Sequence, residues 1–114
     1  MHNWSGNVEF SSSSTRWPAS EGEGQTVVAG ADRVRALGTA HSFNDLADTA
    51  GVHVTLDRLP QHIDIDAGAG MAWVPAGMRY GRAAQLLDAE GWAVHNMASL
   101  GHISVAGAIA TGTH

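Results

Sequence analysis

Fourteen glycines spread through 114 residues cut this chain into short pieces. Glycine permits tight turns and close backbone approach. Inside a helix each one costs about 1 kcal/mol relative to alanine. The stretches between glycines therefore set what can form. Trp4 to Phe10 predicts a short strand, and the polar run Ser11 to Ser14 a loop. Pro18, Ala19 and Ser20 mark a helix start with Ser20 as cap, and a helix follows over 21–30 despite Gly22 and Gly24. Arg33 to Leu37 alternates as a strand does and ends at Gly38.

Ser42 stands three residues before Asp45, a weak capping box. It predicts a short helix from Phe43 to Ala50, with Gly51 at its carboxyl-terminal cap. Val52, Val54 and Leu56 alternate with His53, Thr55 and Asp57 as a further strand, which would turn His53 to solvent. His62 to Asp66 and Met71 to Pro75 flank the turn Ala67 to Gly70 and read as a hairpin, with His62 also facing water. From Gly77 onward Tyr80, Ala84 and Leu87 recur on one helical face with Ala83 beside them, and Gly91 caps its end. The run Val105 to Thr113 is too rich in glycine for a good helix. The order is β-α-β-α-β-β-β-α in one domain, and the fold class expected is α+β, a small β-sheet flanked by helices.

Composition removes several function classes. Apolar residues make up 44% and charged residues 15%, as in a globular domain. The net charge is −5, and six scattered Lys and Arg make no basic stripe for nucleic acid or for an anionic membrane. Cysteine is absent, which excludes disulfides and thiolate metal sites. No apolar run is long enough for a membrane span. His2, Asn3 and Trp4 do not begin a signal peptide, so the cytoplasm is the expected location. The seven histidines show no HxH or HxxxH spacing, and no Gly-x-Ser-x-Gly elbow is present. Gly68-Ala-Gly70 begins like a dinucleotide fingerprint, but Trp73 replaces the third glycine and the flanks are both strands.

Two stretches could carry chemistry. In Leu37-Gly-Thr-Ala-His-Ser-Phe-Asn44 a strand enters a glycine turn and a helix is expected to leave. The unpaired amides of a helix start suit a phosphate. The competing reading is an ordinary capped turn with a surface histidine. In Asn96 to His114 short side chains would let a large planar or phosphorylated ligand approach the backbone, with Ser99, Ser104, Thr111 and Thr113 offering hydroxyls. The competing reading there is a tightly packed interior segment.

Taken together, Asn3-Trp-Ser-Gly-Asn7, Arg33 to Gly38, Thr39-Ala-His-Ser-Phe-Asn44 and above all Asn96 to His114 resemble the alditol oxidase and xylitol oxidase family. That family uses a vanillyl-alcohol-oxidase-type FAD-binding domain. The resemblance covers nearly the whole chain and implies its amino-terminal portion. It implies that His41 bonds covalently to the 8α carbon of FAD. It implies that Ala36, Leu37, Gly38, Thr39, Ala40, His41 and Ser42 form the first FAD loop, and that Ser99 lies near both flavin and substrate. Ser104, Gly107, Thr111, Gly112, Thr113 and His114 match further FAD contacts. The implied reaction passes hydride from a terminal CH–OH of a polyol to the flavin, with O2 as acceptor and hydrogen peroxide as product. An aldonolactone oxidase of the gulonolactone type and a non-catalytic FAD-binding remnant are the alternatives. Ala40 stands where the family has Gly, which would strain a position needing positive φ, and Gly101 stands where Pro is expected, which loosens that loop. Thr111 to His114 closes no helix, so the chain is expected to lack a substrate domain and to turn over little alone.

Overall fold

The computed structural model describes residues 1–95 and 100–113. The chain divides into two compact units, Met1–Leu59 and Pro60–His114. Both strands and helices are present, in agreement with an α+β class.

The first unit is built on three parallel strands, β1 (Ser14–Arg16), β2 (Val34–Ala36) and β3 (Val52–Val54), in the order β1-β3-β2. Parallel neighbours need crossovers. Helix α1 (Glu21–Gly30) makes the first, and the irregular stretch 37–51 makes the second. Thr15 and Arg35 both stand beside His53 in register. β1 begins inside the expected serine loop. Its polar residues are mostly exposed, as an edge strand allows.

α1 starts where expected. The Ser20 side chain accepts from the Glu23 amide at 3.2 Å, and the Glu23 carboxylate accepts from the Ala19 amide at 2.7 Å. Glu21 and Glu23 also complement the helix dipole. No residue of α1 is buried, so this cap and charge arrangement offsets what Gly22 and Gly24 cost.

Three expectations for this unit fail for physical reasons. Residues 4–10 form no strand; a turn through Gly6 at φ +78° is closed by an isolated His2–Glu9 bridge. Residues 43–50 form no helix. The Asn44 side chain instead takes the Leu46 amide, and Asp48 takes the amides of Ser11 and Thr49. Such side chains compete with the helix for its backbone donors. Gly51 is accordingly no helix cap. A Cβ there would stand 2.2 Å from the Arg33 carbonyl oxygen, so glycine is what lets β3 lie beside β2.

His53 is the third. It is 0% exposed, not solvent-facing. Alternation predicts a wet face only for a strand covered on one side. β3 is central, and Phe10 packs edge-on against the imidazole with ring centroids 5.0 Å apart. Nε2 lies 2.6 Å from the Ala47 carbonyl, which can only accept, so Nε2 carries the proton.

The second unit opens with the expected hairpin. β4 (Asp64–Asp66) and β5 (Met71–Trp73) pair antiparallel, with Gly70 at φ +65° in the turn. Helix α2 (Tyr80–Ala89) buries Ala83 and Leu87, and Gly91 at φ +78° follows its end. Val105–Ala110 forms helix α3, contrary to expectation. Ala108 buries against Ile103 with Tyr80 packed on the pair, so tertiary burial outweighs the single glycine at 107. Gly101 does not loosen its loop. Gly81 donates to the Gly101 carbonyl at 2.7 Å, Tyr80 to Ile103 at 3.0 Å and Val105 to Met78 at 2.8 Å. No helix among the described residues is long and apolar enough to cross a membrane.

Candidate functional site

β2 ends at Ala36. Leu37 is buried at 7% exposure and its amide bonds Val54 at 2.9 Å, which anchors the chain as it enters the Gly38–Phe43 loop. No helix receives that loop, so the expected phosphate site at a helix start does not form. What holds the loop is the amino-terminal turn. The Trp4 amide donates to the Ala40 carbonyl at 2.6 Å. The Asn3 side-chain amide donates to the Ser42 carbonyl at 2.7 Å, and the Asn7 side chain to the Phe43 carbonyl at 2.7 Å. These three braces use the loop's carbonyl oxygens and none of its amides.

Asn3 is the keystone of this arrangement. It is 1% exposed. Its Nδ2 also donates to Asn7 at 2.8 Å, and its Oδ1 accepts from the Val8 amide at 3.1 Å. A buried amide side chain costs little only when its donors and acceptor are all matched. Asn3 therefore ties the turn's own backbone to the loop in a single residue.

His41 is half-buried within the loop. Its Nδ1 lies 2.9 Å from the Thr39 hydroxyl. The Trp4 indole stacks on the ring, with centroids 5.2 Å apart and planes at 21°. Ala40, between them in sequence, has φ +60°, and it is the one non-glycine residue with positive φ among those described. The strain expected for alanine at this position is present in the backbone.

Asp48 secures the far end of the crossover. The Ser11 amide donates to its carboxylate at 2.7 Å and the Ser11 hydroxyl at 3.0 Å. The Ser11 amide is the main cause holding the Asp48 carboxyl below the ordinary aspartate range. Desolvation opposes it, and the Ser11 hydroxyl and Thr49 amide act with it.

The remaining expected residues lie in the second unit. Ser104 is buried at 4% exposure and precedes α3. A Cβ at Gly107 would stand 2.9 Å from the Ser104 hydroxyl oxygen, so a bare glycine gives that hydroxyl its room. The Thr111 hydroxyl donates back to the Gly107 carbonyl at 3.1 Å and lies 3.1 Å from the Thr113 hydroxyl. Gly112 turns the chain at φ +66°. Ser99 and His114, and with them Asn96, Met97 and Ala98, lie outside the described residues.

The residues that composition and spacing missed are the braces, Asn3, Trp4 and Asn7. Their signal was available: asparagine and glycine are depleted in strands, and Asn-Trp-Ser-Gly-Asn is turn chemistry.

A family model described as "FAD binding domain" matches residues 13–114. The chain is 44% identical over 98% of its length to an alditol oxidase from a Streptomyces species, covering 28% of that protein. It is 34% identical over 98% of its length to an L-gulono-1,4-lactone dehydrogenase of Mycobacterium tuberculosis, covering 27% of it. It is 28% identical over its whole length to the mouse L-gulonolactone oxidase, again covering 27%. The chain thus spans little more than a quarter of the length of these relatives. With a family model matched over most of its residues, the chain belongs to the FAD-binding domain family, with alditol oxidase among its relatives.

Proposed function

We propose that this chain is the FAD-binding portion of an oxidase that converts a terminal CH–OH of an alditol to the aldehyde, with FAD linked covalently through His41. In this reading the architecture is of the vanillyl-alcohol-oxidase type. The observation that carries it is the His41 loop: an imidazole held at its edge by Thr39 and on its face by Trp4, in a loop braced through its carbonyls. The donor set fits a flavin nucleotide. The Thr39 and Ser42 hydroxyls and the His41 imidazole stand together on this short loop, polar groups suited to a flavin nucleotide. Ser104, Gly107, Thr111, Gly112 and Thr113 add hydroxyls and short side chains in the second unit.

When bound, FAD supplies hydride acceptance and return of the electron pair to oxygen. The chain's own residues bind and orient. His41 would hold FAD through its imidazole at the 8α carbon, Leu37 anchors the loop to β3, and Thr39 holds the imidazole's rotamer. Ser99 is proposed to reach both cofactor and polyol, and His114 to contact the cofactor.

The test is flavin fluorescence of the acid-denatured protein on a gel, beside His41→Ala. A fluorescent band lost in the variant is expected. A protein that binds FAD yet gives no band overturns the covalent link. Because little turnover is expected of this chain alone, peroxide release from xylitol, sorbitol and gulonolactone is then compared with a substrate domain supplied. Turnover of the lactone alone would favour the second reading, an aldonolactone-oxidising enzyme, which the similarity to the mycobacterial and mouse proteins motivates.

A further inference from the structure

We infer that Trp4 is a positioning residue for covalent flavin attachment, acting by fixing the plane of the His41 imidazole. This rests on the reading of His41 as the attachment point. The lone pair of a ring nitrogen lies in the ring plane. Whatever sets that plane sets the line along which the nitrogen meets carbon. The hydrogen bond between Thr39 Oγ1 and Nδ1 at 2.9 Å restrains the ring at its edge. The indole stacked at 21° and 5.2 Å restrains it on its face and so opposes tilting of the plane.

Two features mark Trp4 as placed for this contact and not for a core. Its residue is 64% exposed, so it contributes little buried area where burial would stabilise the fold. Its own amide is bonded to Ala40, the residue next to His41, so indole and imidazole are carried on one hydrogen-bonded frame. That frame is completed by buried Asn3, whose side chain holds Ser42 on the other side of His41.

The step served is balanced as follows. A C–N bond forms between an imidazole nitrogen and the 8α carbon. One C–H bond of the methyl group and the imidazole N–H are lost. The two electrons pass to O2, which takes up both protons as hydrogen peroxide.

The experiment mixes flavin-free protein with FAD and follows covalent fluorescence in acid-quenched samples, with non-covalent FAD affinity measured separately. Trp4→Ala keeps the backbone bond to Ala40 and the exposed site tolerates it. It is expected to slow attachment at least tenfold with FAD affinity changed less than threefold, and Trp4→Phe to restore the rate to within threefold. Attachment by Trp4→Ala at the wild-type rate overturns the inference while leaving His41 as the linked residue. Wild-type protein that binds FAD without linking overturns both. A second readout needs no flavin: the His41 ring protons are shifted upfield in the NMR spectrum by the indole ring current. Loss of that shift in Trp4→Ala is expected; an unchanged spectrum overturns the stacking itself.

Discussion

The Thr39–Phe43 loop and the Gly101–Val105 segment are each held by another stretch of chain, but by different means. In the first, two asparagine side chains reach the carbonyls of Ser42 and Phe43, with one backbone bond from Trp4 between them. In the second, backbone meets backbone: Tyr80, Gly81 and Val105 donate across the pair, with the Arg79 side chain adding a bond to the His102 carbonyl at 2.8 Å. The first loop is addressed by residue identity and the second by absence of a side chain. A side-chain brace permits an irregular, strained loop such as the one around Ala40. At Gly81 the backbone brace brings the chains so close that a Cβ would meet the Gly101 carbonyl oxygen.

Asn3→Ala gives the sharpest break. It removes every bond made by a buried amide and leaves the Val8 amide and Ser42 carbonyl without it. A loss of about 3 kcal/mol is expected in urea unfolding, with covalent flavin lost in parallel. A variant as stable as wild type would mean that the backbone alone shapes the first loop. Gly81→Ala tests the other side of the contrast. Its Cβ would meet the Gly101 carbonyl oxygen at 3.1 Å, and a destabilisation of about 1–2 kcal/mol is expected. If the melting temperature is unchanged, the close approach is not a constraint.

Ala40→Gly should act in the opposite direction. It relieves a residue at φ +60° and so gains about 0.5–1 kcal/mol, after the greater freedom of glycine in the unfolded chain is counted. Faster flavin attachment is expected with it. The smallest effect concerns Asp48. Its folded carboxyl titrates below the unfolded value of about 3.9. Its contribution is therefore complete above that value and is lost as pH falls through the folded one. Asp48→Asn should flatten the acid limb of the stability curve below about pH 4 and leave its neutral slope unaltered.

Local chemistry made much of the fold legible. Ser20 caps α1 as expected, because a cap depends on an amide only three residues away. The hairpin across Ala67–Gly70 and the α2 face of Ala83 and Leu87 follow from periodicity. The failures share a cause. Asn44 and Asp48 read as helix neighbours until Asp48 is seen to hold Ser11, 37 residues earlier in the chain. His53 reads as wet until β3 is seen to be the middle strand.

The loop motif around His41 and the family were determined by sequence alone, the motif because it lies in one contiguous run and the family because its segments recur along nearly the whole chain. What only the tertiary structure decided is how that loop is held. Asn3 and Trp4 lie nearly forty residues from the groups they hold. A hydrogen bond or a ring stack is set by distance in space, and no local pattern encodes which distant carbonyl or imidazole will be there.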